Sequence, residues 1–268
     1  SREQVDRFRG RLVCNRFAID EELTAWVGHG HARIYEVGVS YNGRSYEDGK
    51  KINWRDGLEA VWSIIWFNLI VPRTLVERRI TLGSFPFDYF LTIWRLKKAQ
   101  KLLQSSVKGK ILDIGCGTYP YFLTTFDFND KYGIDHFIGP NVKGINLARF
   151  NFENPPLPFP DDYFDAITIL SIIEHLSSET AERLLTDAFR LLKSGGIIVI
   201  TTPTSGADWL LRKLAWLHLF AAEEIRDHKQ FYTKNIILQQ LIKAGWDKQS
   251  ISVGWFELGY NIWVLAKK

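Results

Sequence analysis

The 268-residue chain has no methionine and only two cysteines, Cys14 and Cys116. Two thiols do not make a disulfide framework, so the fold is expected to rest on burial in a reducing compartment. Methionine is missing at position 1 as well, so the true start is expected upstream of Ser1. Charge of one sign is also lacking. The 34 Lys and Arg set against 30 Asp and Glu leave a net charge of +4, and no nucleic-acid partner is expected. No apolar run reaches the roughly 18–20 residues that span a bilayer. No signal peptide is recognisable, and a cytoplasmic location is expected. Internal repeats, low-complexity tracts and a metal-ligand pattern are absent too.

What remains is globular: 46% hydrophobic and 24% charged residues, ample for a real core, over a length that exceeds one average domain. The chain reads as two unequal parts joined by residues 76–108. That link is polar and basic at first and then carries "DYFLTIWRLKKAQKLL", a lead-in helix. From 109 onward strand and helix signals alternate, which predicts crossover units and a mainly parallel sheet. The predicted strands are Lys110–Ile114, Lys131–Asp135, Ile145–Phe150, Ala166–Leu170 and Gly196–Thr201. A helix over Glu179–Leu192 is stopped by Ser-Gly-Gly. Ile251–Phe256 and Asn261–Ala266, joined by a short Gly-containing turn, predict an antiparallel hairpin at one edge. The fold class is therefore α/β, a doubly wound sheet closed by a hairpin and preceded by a small α+β segment at residues 1–75.

"KILDIGCGTYPYFL", residues 110–123, places two glycines directly after the first predicted strand. There the chain must turn tightly and a ligand must approach the backbone closely. A tight turn with no ligand is the alternative for this stretch taken alone. Eighteen residues past Gly117, "KYGIDHF" ends a second strand in Asp135. An acidic side chain at that distance can accept hydrogen bonds from both hydroxyls of a ribose. The run Gly-Cys-Gly-Thr-Tyr-Pro lacks the third glycine of a dinucleotide site, and Pro120 starts a helix well while donating no hydrogen bond. A nucleoside without phosphates fits better, and S-adenosylmethionine is the candidate.

Residues 109–268 resemble a class I S-adenosylmethionine-dependent methyltransferase of the type 11 group. The resemblance rests on "ILDIGCGT", "YGIDHF", "LPFPDDYFDAITILSIIEHL", "AFRLLKSGGIIVITTPT" and "HKQFYTKNIILQQLIKAGW", in the family's order and spacing. It implies a seven-stranded Rossmann-like sheet, with Asp113, Gly115, Cys116 and Gly117 at the methionine end of the cofactor. Asp135, followed by His136, would hold the ribose. Asn151 and Phe152 would contact the adenine by a hydrogen bond and by apolar packing, and Ser171, Glu174 and His175 would face the sulfonium or the entering substrate. Tyr119 departs from the pattern, since many members carry glycine there.

Methyl transfer is an in-line displacement at a cationic sulfur, so positioning does much of the catalysis. A base is needed only where the acceptor must lose a proton. His175 is the first candidate by its ordinary pKa, against a histidine that only packs at a helix start. His228, in "DHKQFYT", borders the acceptor pocket or sits in a surface loop. Glu174 either stabilises the sulfonium or caps the next helix. Cys116 reads as a small packing residue rather than a nucleophile. The insertion "ADWLLRKLAWLHLFAAEEIRD", with Trp209, Leu210, Leu214, Leu217 and Leu219, reads as an amphipathic helix that covers an apolar acceptor or packs on the sheet.

The first part reads differently. Asp20 is placed to cap a helix running through Ala25, and Arg33–Tyr41 alternates like a strand. In "LEAVWSIIWFNLIV", Leu58, Trp62, Ile65, Trp66 and Leu69 fall at helical spacing with Glu59 and Ser63 opposite. Residues 54–71 therefore read as peripheral membrane contact or as a core-facing helix. "YEVGVSYNGRSYEDGKKINWRDG" resembles the C-terminal end of a family 2 glycosyltransferase of the dolichol-phosphate mannosyltransferase-like kind. That implies a phosphate- or lipid-facing role for Arg44, with Lys50 and Lys51, or merely a solvated turn. The nucleotide-binding half of that family is absent, so the segment is read as the tail of a fusion or as a docking remnant. The acceptor expected from this neighbour is a small molecule, a sugar or a lipid-linked glycan.

Overall fold

The computed structural model describes residues 19–29, 38, 40, 54–65, 86–103, 109–117, 119–138, 141–153, 156–204, 206 and 229–268. The chain forms two compact units that divide after Ile80, so the lead-in helix belongs to the second.

In the first unit, helix α1 (Ile19–His29) contacts helix α2 (Trp54–Ile65). Asp20 lies inside the first turn of α1 rather than capping it. Its carbonyl accepts from the Thr24 hydroxyl one turn on, at 2.7 Å. With Glu21 and Glu22 it places three carboxylates at the positive end of the helix dipole. The α2 helix is arranged inside out. Asp56 and Ser63, seven residues apart and so on one face, are buried, while Trp54 is 71% and Leu58 60% exposed. The strand expected at Arg33–Tyr41 lies outside the described residues except for Gly38 and Ser40, neither of which is in a strand. Residues 66–85 also lie outside them.

The second unit runs α3 (Pro86–Leu103), β1 (Lys110–Ile114), α4 (Tyr121–Thr125), β2 (Asp130–Asp135), β3 (Asn146–Arg149), β4 (Phe164–Leu170), α5 (Ser178–Leu191), β5 (Leu192–Pro203), α6 (Lys234–Lys243), β6 (Ile251–Phe256) and β7 (Asn261–Lys267). The seven strands lie in the order β3-β2-β1-β4-β5-β7-β6. All pairings are parallel except those of β7, which runs antiparallel to both β5 and β6. The expected mainly parallel sheet with a closing hairpin is therefore present. The strand order turns back between β1 and β4, the point where such sheets bind ligands.

One face of the sheet packs against α5 and α6 through Ile114, Ile167, Leu185 and Ile237. The other packs against α3 through Leu96, Ala99, Ile111 and Val199. With both faces covered, the central strands are apolar almost throughout, as in β1, where Ile111, Leu112 and Ile114 are fully buried.

Two local expectations change. The strand expected from Gly196 begins at Leu192 instead, so Ser-Gly-Gly follows the end of α5 as expected but lies within β5. The helix stops at Leu191 and the chain enters β5 at once, with a register irregularity opposite Phe164 and Ala166. Gly195, at φ +81°, absorbs that irregularity. Glu174 does not cap α5 either, because the Ser177 hydroxyl accepts from the Thr180 N–H at 3.1 Å.

Candidate active site

The glycine turn leaves the carboxyl end of β1. The Gly115 and Cys116 N–H groups both donate to the Ile134 carbonyl, at 2.8 and 3.3 Å, which draws the turn against β2. Gly115 and Gly117 sit at φ +78° and +75°, where side chains are disfavoured. A Cβ on Gly115 would also lie 1.9 Å from Ile172 Cγ1. Two glycines in three positions thus answer to backbone conformation and, at Gly115, to the residue behind it. Pro120 caps the short α4 without a side-chain hydrogen bond. Tyr119 precedes it, partly buried.

Asp135 closes the turn from β2. Its Oδ2 accepts from the Gly117 N–H at 2.8 Å and its Oδ1 from the Phe137 N–H at 3.0 Å. Each carboxylate oxygen keeps a further lone pair for a ribose hydroxyl. Asp113, in β1 opposite Gly133, is buried and accepts from the Thr168 hydroxyl at 2.6 Å. Burial raises its pKa to about 7, opposed by the Thr168 bond and reinforced by the Asp135 charge. Cys116 faces the interior, close to where a Cβ on Gly133 would stand. Burial pushes its thiol up, far from nucleophilic use.

Asn151 is exposed, and its side-chain oxygen accepts from the Glu153 N–H at 3.1 Å. Phe152 packs on the core and meets Phe150 edge-on. His136 is exposed and meets the Phe137 ring edge-on. Ser171, just past β4, holds φ +55°, and its buried hydroxyl has no hydrogen-bond partner among the described residues. Glu174 and His175 lie in a single 3-10 turn, Ile173–His175. The Glu174 carboxylate is buried and accepts from the Thr202 hydroxyl at 3.1 Å. Burial raises its pKa. Its carbonyl accepts from the Lys229 and Gln230 N–H groups and so fastens the chain where the insertion returns. His175 is half-buried beside it. His228, the insertion at 207–228 and the basic turn with Arg44, Lys50 and Lys51 lie outside the described residues.

Thr168, Ile172 and Phe137 also build this site, and sequence reasoning passes over all three. Thr168 is legible only once β1 and β4 are aligned, since it pairs in register with Asp113. Together the glycine turn and the closing Asp135 fit the nucleoside part of S-adenosylmethionine.

The fold is that of a methyltransferase domain. Residues 91–251 match the methyltransferase domain family, and the chain belongs to it. The demethylmenaquinone methyltransferase of Tropheryma whipplei is 33% identical over 116 residues, 40% of this chain and 46% of that one. The demethylmenaquinone methyltransferase of Streptomyces avermitilis is 26% identical over 186 residues, 58% of this chain and 75% of that one. The chain thus spans about half the length of the first of these curated relatives. Among solved structures, an S-adenosylmethionine-dependent methyltransferase from Mesorhizobium loti is 20% identical, with a TM-score of 0.50, over 65% of this chain and 98% of that one. A putative one from Listeria monocytogenes is 14% identical, with the same TM-score, over 66% and 99%. At these identities the likeness is one of fold.

Proposed function

We propose that the chain transfers the methyl group of S-adenosylmethionine to a small-molecule, sugar or lipid-linked acceptor. The observation that carries this reading is the closure of the glycine turn by Asp135 through Gly117. When bound, the cofactor supplies a methyl group on a sulfonium whose leaving group is already good. Asp135 holds the ribose hydroxyls, and Asn151 and Phe152 take the adenine edge. Gly115 and Gly117 let the backbone approach the methionine end. The ionised Asp113 carboxylate makes that end of the site favourable for a cation. Glu174 acts through position, holding the 3-10 turn and the returning chain, and His175 takes the proton from an acceptor that must lose one. The relatives named as quinone methylases support methyl transfer as the reaction class without fixing the acceptor.

Calorimetric titration of the chain with S-adenosylmethionine and S-adenosylhomocysteine tests the reading, with Asp135→Ala as control. Saturable binding that the variant weakens is expected. A folded chain that binds neither ligand would remove the proposal.

The first unit is proposed to dock on a membrane surface, as a glycosyltransferase-like remnant or the tail of a fusion. The exposed apolar face of α2 supports this reading, because a face bearing Trp54, Leu58 and Val61 suits a lipid interface better than water.

A further inference from the structure

A second polar constellation stands at the carboxyl edge of the sheet, one strand beyond the cofactor cradle. Side chains alternate along a strand, so Thr201 shares a face with Val199, and Asn261 shares one with Leu265. Val199 and Leu265 both pack in the core covered by α3, which puts Thr201 and Asn261 on that same face. Pro203 pairs with Asn261, so the start of β7 meets the end of β5 at this edge. The turn before β7 brings Glu257, held at φ +51°, and its carboxylate accepts from the Asn261 side-chain amide. From α3, the Arg95 guanidinium attracts both the Glu257 and the Glu174 carboxylates. Ser171 ties the group to the cofactor side, its N–H donating to the Thr201 carbonyl at 2.9 Å.

What sets these residues apart is the hydrogen bonding left unmade. Arg95 Nε, Ser171 Oγ, Thr201 Oγ1, Glu257 Oε1 and Asn261 Oδ1 are all buried without a hydrogen-bond partner among the described residues. Thr201 is 0%, Glu257 3% and Asn261 4% exposed. A finished core pairs such groups, so a concentration of unpaired ones at the ligand-binding edge marks a place completed by something else.

The mixture of donors and acceptors selects its chemistry. The Glu257 and Asn261 oxygens only accept, the Arg95 Nε only donates, and the two hydroxyls do both. An ammonium group would leave Arg95 unmet. A ketone or quinone carbonyl would leave Glu257 and Asn261 unmet. A hydroxyl donates to one and accepts from the other, and neighbouring hydroxyls reach several at once. Burial raises the pKa of both Glu174 and Glu257, and the Arg95 charge opposes the rise in each. We propose that Arg95, Ser171, Thr201, Glu257 and Asn261 form the acceptor-binding wall of this methyltransferase, and that the acceptor presents adjacent hydroxyls, as a sugar or other polyol does. This rests on the methyl-transfer reading and narrows its acceptor.

The test is saturation-transfer NMR on the full chain loaded with S-adenosylhomocysteine. The probes are the methyl glycosides of glucose, mannose and galactose, with 1,4-dihydroxynaphthalene as the counterpart lacking adjacent hydroxyls. At least one glycoside is expected to bind saturably. Glu257→Gln and Asn261→Ala should each weaken it at least tenfold while the affinity for S-adenosylhomocysteine stays unchanged. Should either variant unfold, Arg95→Lys, which keeps the charge and alters the donor geometry, is expected to give the same selective loss. No binding by any of the three glycosides to the loaded chain overturns the proposal and leaves methyl transfer standing. So does preference for the naphthalene diol, or glycoside binding that no variant alters. Failure of the chain to bind S-adenosylhomocysteine overturns both readings together.

Discussion

Burial lifts the carboxyl of Asp113 to a pKa of about 7, the Thr168 hydroxyl opposing the rise and the Asp135 charge adding to it. In the unfolded chain the same group titrates near about 3.9. Folding therefore favours its protonated form, and the empty protein loses stability as pH rises from about 4 to about 7. Binding a cation asks for the opposite, the ionised form. Affinity for S-adenosylmethionine is expected to fall as pH drops below 7, and more steeply than affinity for uncharged-sulfur S-adenosylhomocysteine; parallel titrations at pH 6 and 8 check this. Asp113→Asn should separate the two effects. One pKa unit is worth about 1.4 kcal/mol, so the empty variant at pH 8 is expected to melt several degrees higher while binding S-adenosylmethionine at least tenfold more weakly. A lower melting point would show that ionised Asp113 is not a burden on the fold. At Asp135 the expected effect of Ala is also at least tenfold in affinity, about 1.4 kcal/mol, from the lost ribose hydrogen bonds. Unchanged affinity there would sink the ribose assignment.

Elements were legible where their signals were local and redundant. The strand ending in Asp113, the Gly-Cys-Gly turn and the second strand ending in Asp135 each carry a short-range pattern, and the structure brings their residues together. Signals that depend on a partner elsewhere were not legible. Ser-Gly-Gly reads as a helix stop and α5 does end there, but its second role, a strand irregularity where β4 pairs with the chain on both sides of it, is not readable locally. Arg95, Glu257 and Asn261 carry no motif at all, being joined only through the hairpin and the helix under the sheet. Helix α2 is a third kind of case. Its periodicity shows an amphipathic helix but not which face is covered, and the buried face proves to carry Asp56 and Ser63. If that arrangement serves a lipid surface, the chain should co-sediment with vesicles of mixed neutral and anionic lipid. Replacing Leu58 and Val61 by Ser should then reduce the bound fraction several-fold without lowering the melting point, because neither side chain is buried. Equal sedimentation of the two proteins would leave α2 without a membrane role.

At the scale of the whole molecule, the division after Ile80 assigns the cofactor site to one compact unit. Every described residue of the glycine turn, the closing Asp135 and the polar wall belongs to residues 81–268, and the family match lies there too. A ligand stabilises what it binds by an amount set by its concentration over its dissociation constant, about 2.7 kcal/mol at a hundredfold excess. Amides that exchange only through global opening of that unit should then slow about a hundredfold. Hydrogen exchange with and without S-adenosylhomocysteine reads this segment by segment. Peptides covering β1, the glycine turn and β2 are expected to gain protection, and those covering α1 and α2 to stay unchanged. Protection that rose equally in both units would mean that they unfold as one, and the first part of the chain would then contribute to the stability of the second.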